Sequence, residues 1–470
     1  MNERSRYLLK NLGLLTVSSF ASKILVFLLV PLYTSVLTNE EYGFYDLICT
    51  SVALLCPLLT LNISDAVMRF LIDKLNPIDK VAAIGLKYVL FSMLPAGIIL
   101  LLVSSFYSSK LQGFVLYIFI YYFLSVFNQF LLQFARGMEM VSDIAVSGVV
   151  STVTMLLFNI LFLVVFKLGL NGFFAANILS LAVSSVYIFF RARIYKYLKP
   201  VKTDKQLKKE MLLYCTPLIV SALGWWVNGA TDRYIVTIFA GVAANGLLAV
   251  AYKIPQIINT LQGIFSQAWQ LSAFKEYGES KSAEFYGRSF STVILLLSLA
   301  CSVLIILTRP IGLLLYKNDF FAACEYVPFL IINCVVNCAS GILGPILTAN
   351  KNSKALAVSA FWGSVVNIIL NIILTLLIGV QGACIATVIS SLVVFFCRKS
   401  WTGNDISFDN FSIIIVSWFL LCVQALFEIY TSLWAAELVI MLAIVLLNRE
   451  ETKKIIVTFF SFVKKYPESK

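Results

Sequence analysis

The chain contains no histidine. That absence removes the commonest metal ligand and the commonest general base. Charge is also scarce, at 13% of 470 residues, where a soluble domain carries about 25%. The 10 cysteines form no CxxC pair and no ligand cluster. Most lie inside apolar runs (Cys49, Cys56, Cys301, Cys334, Cys338), where a thiol packs as a small apolar group. There is no Walker A phosphate loop, so the chain does not hydrolyse ATP itself. No Asp-rich cluster of the kind that holds Mg²⁺ for glycosyl transfer is present, and no outer segment is long enough to house a polymerase or ligase site. The expectation is a protein that is not an enzyme and needs no cofactor or metal.

What the chain has instead is hydrocarbon-like sequence. Hydrophobic residues make up 60% of it, and the mean hydropathy is +0.91. The apolar residues fall in separated blocks of about 20, the length of a helix crossing a bilayer. The fold class is therefore an all-α polytopic membrane protein. We read about fourteen spans, from 11–37 to 431–447, with the last pair among the shortest. The N-terminus has a positive start but no small-residue cleavage signature, so span 1 is expected to be retained.

The net charge of +12 sits mostly in short loops. Orientation in the membrane explains it better than nucleic acid does. With the N-terminus inside, most of the 36 Lys/Arg fall on the inner side, and the outer segments hold Lys110, Lys167, Arg309 and Lys317. Both termini of this multi-pass protein are thus expected in the cytoplasm. The expected layout is an N-lobe of six spans (1–190), a basic linker (191–210), a C-lobe of six spans (211–400), and two further spans with a basic tail (401–470). In that tail, 455–463 reads as an interfacial helix.

Two segments repeat. AVSGVVSTVTMLLFNIL, from Ala145, matches AVSAFWGSVVNIILNII, from Ala357, and places Asn159 opposite Asn371. After a two-residue gap, Gly172 falls opposite Gly382. Six spans separate the copies, so the halves run parallel, a common plan in transporters.

Charges inside apolar runs mark function, because each costs at least a few kcal/mol in hydrocarbon. Lys23 lies about a dozen residues into span 1, too deep to snorkel easily. Lys253 precedes Pro255 in AYKIPQIINTLQG. Asp232 and Arg233 are adjacent in span 7, and Asp65 and Arg69 are four apart in LNISDAVMRF, where a local ion pair or an inner-gate phosphate contact fits. Asp46, Asp65 and Asp232 are candidates for ion pairing or cation coupling. Asn128, Gln129, Gln133, Trp225, Trp226, Asn228, Gln267, Trp269 and Gln270 are candidates for a sugar path, since amides bond hydroxyls and indoles stack on sugar faces. Packing and interface anchoring are the competing roles for each.

The stretch FASKILVFLLVPLYTSVLTNEEYGFYDLICTSVALLCPLLTLNISDAVMRF resembles the start of polysaccharide-repeat flippases. These are the O-antigen, capsule and exopolysaccharide translocases of the multidrug/oligosaccharidyl-lipid/polysaccharide exporter superfamily. DRYIVTIFAGVAANGLLAVAYKIP is similar as well. The resemblance implies two six-helix lobes around a central cavity, and a MATE-like fold working by alternating access. It implies an undecaprenyl-pyrophosphate-linked oligosaccharide as substrate, membrane lipids as surroundings, and polysaccharide polymerase and chain-length proteins as partners. It also implies pyrophosphate contacts from Lys23, Arg69 and Lys253, with Arg233 nearby. Lysine at two of these places makes the contact less bidentate than arginine would. The rival readings are a cation-coupled multidrug exporter of the same superfamily and a membrane polysaccharide polymerase or ligase.

Overall fold

The computed structural model describes residue 20 and residues 23–73, 75–106, 109–197, 204–279, 281–408, 411–431 and 433–449. Every regular element among them is helical. The interfacial helix expected at 455–463 and the beginning of span 1 lie outside the described residues. Among the described residues, ten helices are long and apolar enough to cross a membrane, or eleven if Lys205–Gly224 and Gly229–Ala240 count as one bent span. The expected fourteen are not all found at full length. Lys23–Val36, Val242–Ala251 and Trp434–Leu447 are apolar but short, and they occupy the places of spans 1, 8 and 14.

The chain forms two compact units that divide between Thr231 and Asp232. The first begins with α1 (Lys23–Val36) and α2 (Asn39–Leu59), which Thr38 starts with a capping box: Glu41 N donates to the Thr38 hydroxyl, and the Glu41 carboxylate accepts from Thr38 N. Then come α3 (Ile63–Ile72), α4 (Ile78–Phe91), α5 (Met93–Phe106), α6 (Ser109–Gly137), α7 (Val141–Asn159), which runs on as a π-helical segment to Val165, and α8 (Gly169–Arg191). The next helix, α9 (Lys205–Ala240), contains the division. The second unit continues with α10 (Val242–Ala251), α11 (Lys253–Glu276), α12 (Ser282–Ile306), α13 (Thr308–Leu315), α14 (Val327–Ala349), α15 (Ser353–Ile378), α16 (Val380–Thr402), α17 (Phe411–Tyr430) and α18 (Trp434–Leu447).

The repeat is visible in the packing. α7 pairs with α8 and α15 with α16, each as an antiparallel hairpin. Serines at matched positions stitch both: Ser180 bonds Ser151 at 2.8 Å, and Ser390 accepts from Asn367 at 3.3 Å. The matched glycines are points of close approach. A Cβ on Gly382 would lie 2.1 Å from the Leu374 carbonyl oxygen, and one on Gly172 would lie 2.9 Å from the Leu168 Cβ. α14, the helix most enclosed by its neighbours, forms the middle of the second unit.

Expected spans 2 and 8 are broken rather than continuous, and span 3 turns at Ser92 between α4 and α5. Span 2 stops at Leu59, and Leu61 and Asn62 both take left-handed backbone (φ 53° and 52°) before α3 begins. Span 8 breaks at Tyr252, where α10 ends and α11 begins. Pro255 sits in the first turn of α11, where its missing N–H costs no intrahelical bond. The polar run Gln256, Asn259, Gln262, Gln267 and Gln270 lowers the hydropathy of α11, so it is a 24-residue helix outside the spans recognised by composition.

Candidate functional site

Polar chemistry gathers at both helix breaks. In the first unit, the break before α3 turns Asp65 toward α6. Asn62 Nδ2 donates to Asp65 at 2.7 Å, and Gln133 Nε2 donates to its other oxygen. Gln133 in turn accepts from Arg136 at 2.9 Å. The backbone oxygen of Asn62 accepts the Cys215 thiol at 3.5 Å. Two consecutive left-handed non-glycine residues cost about 1–3 kcal/mol each and persist only where their surroundings fix them. Here the Asn62–Asp65 bond and the Cys215 contact do so.

The expected pairing of Asp65 with Arg69 does not form. Arg69 bonds Asp73 instead, and its side chain is 48% exposed. The alternative is local: Asp65 and Asp73 are both four residues from Arg69, and Asp65 takes two amide donors instead. Lys23 is exposed on α1, and Asp46 is half-buried on α2.

In the second unit, Asp232 is 5% exposed and takes donors from three other helices. Tyr252 Oη donates to it at 3.0 Å and Thr387 Oγ1 at 2.8 Å, and Asn371 Nδ2 also donates. Thr375 in turn donates to Asn371 Oδ1 at 3.3 Å. Tyr252 is the residue at the break of span 8. The Arg233 guanidinium lies over its ring at 5.7 Å, and half-buried Lys253 follows it in sequence. The break therefore brings a buried carboxylate, an arginine and the start of a lysine-bearing helix to one aromatic residue. The neutral donors meet the hydrogen-bonding capacity of the carboxyl group, and hydroxyl donors can rotate to make way for a bound cation.

The expected sugar-path residues divide. Asn128 is buried and gives both its amide hydrogens to Ser184 and Ser185, at 3.0 Å each. Trp226 Nε1 donates to the Thr50 carbonyl and Trp269 Nε1 to the Ile342 carbonyl, both at 2.9 Å. Trp269 is also stacked between Phe265 and Phe285. These three side chains have structural partners already. Gln129 is half-buried, and Gln267 and Gln270 are exposed on α11. The side chains of Trp225 and Asn228 lie outside the described residues.

The family model for the polysaccharide biosynthesis protein family matches residues 8–270, more than half of the chain. This protein belongs to that family. Solved structures with a similar fold include the lipid II flippase MurJ in an inward closed conformation, at 15% identity and a TM-score of 0.69, covering 93% of this chain and 99% of that one. An inward-facing multidrug resistance MATE family transporter of the MOP superfamily aligns at 16% identity and a TM-score of 0.63, covering 87% and 96%. A MOP superfamily transporter from Pyrococcus furiosus aligns at 14% and 0.56, covering 90% and 97%. Curated proteins give no sequence match. This member of the polysaccharide biosynthesis family thus has the fold of flippases and transporters.

Proposed function

We propose that this protein is a flippase. It moves an undecaprenyl-pyrophosphate-linked oligosaccharide repeat unit from the inner to the outer leaflet of a bacterial cytoplasmic membrane by alternating access, for surface polysaccharide assembly. What carries the reading is Tyr252 at the break of span 8, holding Asp232 on one side and facing Arg233 on the other in a chain of this family and fold. A broken helix at membrane depth is stable only beside protein or a wet cavity, and buried ionisable groups there mark a transport path.

In this mechanism Lys23, Arg69, Lys253 and Arg233 replace the hydration of the diphosphate. Arg69 must exchange Asp73 for substrate. An exposed i,i+4 pair is worth only about 0.3–0.5 kcal/mol, so a doubly charged diphosphate displaces it readily. Asp232 is the coupling group: a proton or a monovalent cation on its carboxylate would bias the return step, with Asp46 and Asp65 as secondary acidic positions. Gln129, Gln267 and Gln270 are the path residues with polar ends left for hydroxyls. Polysaccharide polymerase and chain-length proteins would act on the delivered product.

Replacing Lys23, Arg69 and Lys253 by alanine, singly, tests the ligand set. Each variant is expected to reach the membrane at wild-type level and to lose most surface glycan. Normal surface glycan in all three would overturn the assignment. The second reading, a cation-coupled multidrug exporter, is favoured by the MATE-type fold and the buried carboxylate Asp232. Increased drug sensitivity in a strain lacking the chain, with surface glycan unchanged, would select it.

A further inference from the structure

The last two helices hold a second buried acidic site, one the transport mechanism above does not use. Glu428, in the last turn of α17, and Glu437, in the first turn of α18, are 1% and 0% exposed. None of their four carboxyl oxygens accepts a hydrogen bond from a protein donor. α17 and α18 pack against each other, which sets the two carboxyl groups side by side.

One cation serves both. Arg309, in the first turn of α13, places Nε 3.6 Å from Glu428 Oε1 and donates from its guanidinium to the Glu428 backbone oxygen at 3.0 Å. On the same side, the segment Asn318–Glu325 brings the Cys324 thiol toward Glu428. Burial first, and then this carboxylate, push that thiol up to about 12. α12 contributes a neutral contact one turn away, where Ser302 donates to Gln424 Oε1 at 2.8 Å and Gln424 Nε2 returns a bond to the Ser302 carbonyl at 3.0 Å.

Charge counting decides what the site takes. Two carboxylates against one guanidinium leave one negative charge buried without a donor, and two carboxylates in contact do not both stay ionised. One proton solves both problems: it removes the excess charge and turns one carboxyl into a donor for the other. A divalent metal fits poorly, since it would add positive charge beside Arg309 and find fewer oxygens than a hard cation needs. We propose that Glu428 and Glu437 form a proton-binding site, a carboxyl–carboxylate pair that holds one proton against Arg309 and joins the last two helices. When that proton leaves, Glu437 becomes a buried anion beside another, so the α17–α18 contact weakens. Opening of that contact is therefore expected to grow as pH rises. The inference is independent of the transported substrate.

Infrared spectroscopy of the full chain in lipid nanodiscs tests it, through the carbonyl stretch of protonated carboxyl groups followed against pH. Wild type is expected to show a band that disappears on alkalinisation. Glu428→Gln and Glu437→Gln should each lack that band, since the remaining carboxylate pairs with Arg309 as an ion, and Asp232→Asn should keep it. Arg309→Gln should raise its intensity, because both carboxyls then hold protons. The Gln variants should also lose the alkaline fall in thermal stability that wild type shows. If one Gln variant fails to fold, the other decides. A band of wild-type intensity and pH dependence in the folded Gln variants would overturn the proposal.

Discussion

Asp232 receives hydrogen bonds from residues 20, 139 and 155 positions away in the chain. Removing the acceptor therefore orphans donors on three helices, and each unsatisfied buried group costs about 1–3 kcal/mol. Asp232→Ala is expected to lower the melting temperature clearly in a detergent thermal-shift assay. Asp232→Asn keeps an acceptor oxygen, so its melting temperature should fall less while glycan export is lost; equal melting temperatures for the two variants would contradict the network. Trp269 makes the opposite prediction. Its indole is a packing group tied to the Ile342 carbonyl, so Trp269→Phe should cost about 1 kcal/mol of stability and leave export near wild type. Asp232 was legible in the sequence because a carboxylate stands out in an apolar run. Its partners were not, because nothing in a single sequence links Tyr252, Asn371 and Thr387 to it. Glu428 and Glu437 carried the same signal of isolated charge in apolar sequence, and their meaning emerged only when two helices set them side by side. The Asp65–Arg69 spacing misled, since i,i+4 geometry serves Asp73 equally well.

The helices are set by close approach and by breaks. Gly172 and Gly382 occupy equivalent hairpin positions but differ in tolerance. An added methyl at Gly382 meets backbone at 2.1 Å, whereas at Gly172 the nearest atom, the Leu168 Cβ, is 2.9 Å away, so less has to shift. Gly382→Ala should therefore lower thermal stability and membrane abundance more than Gly172→Ala, at the upper end of the about 1–3 kcal/mol typical of overpacking. The matched glycines could be read from the repeat, but their unequal crowding could not. At the start of α9, Asp204 accepts from the backbone of Gln206 and Leu207 at 3.2 Å and from Lys80 at 3.1 Å. The Leu207 backbone bond first, and then Lys80, hold its carboxyl below the usual range. This anchoring is present above the ordinary carboxylate pKa and is lost as pH falls through the lowered value. Asp204→Asn should accordingly flatten the acid limb of the stability profile. The break of span 8 was foreshadowed by Pro255. The break of span 2 was not, because left-handed backbone at Leu61 and Asn62 depends on partners from α9 and on a side-chain bond that sequence periodicity does not encode.

At the scale of the whole molecule, hydropathy gave the all-helical membrane class and the parallel repeat gave two related halves, because both follow from periodic burial. The number of full-length spans did not follow, since short apolar helices and the polar α11 blur the blocks. The family and fold agree with transport across a membrane, and in the proposed mechanism the charged groups at the helix breaks supply its chemistry. The most direct test of the central claim is the leaflet position of the lipid-linked oligosaccharide in cells depleted of this chain, read by its accessibility to a membrane-impermeant sugar-labelling reagent. The account predicts that the repeat unit accumulates out of the reagent's reach on the cytoplasmic side, and that wild-type protein but not Lys253→Ala restores labelling. Unchanged labelling after depletion would contradict it.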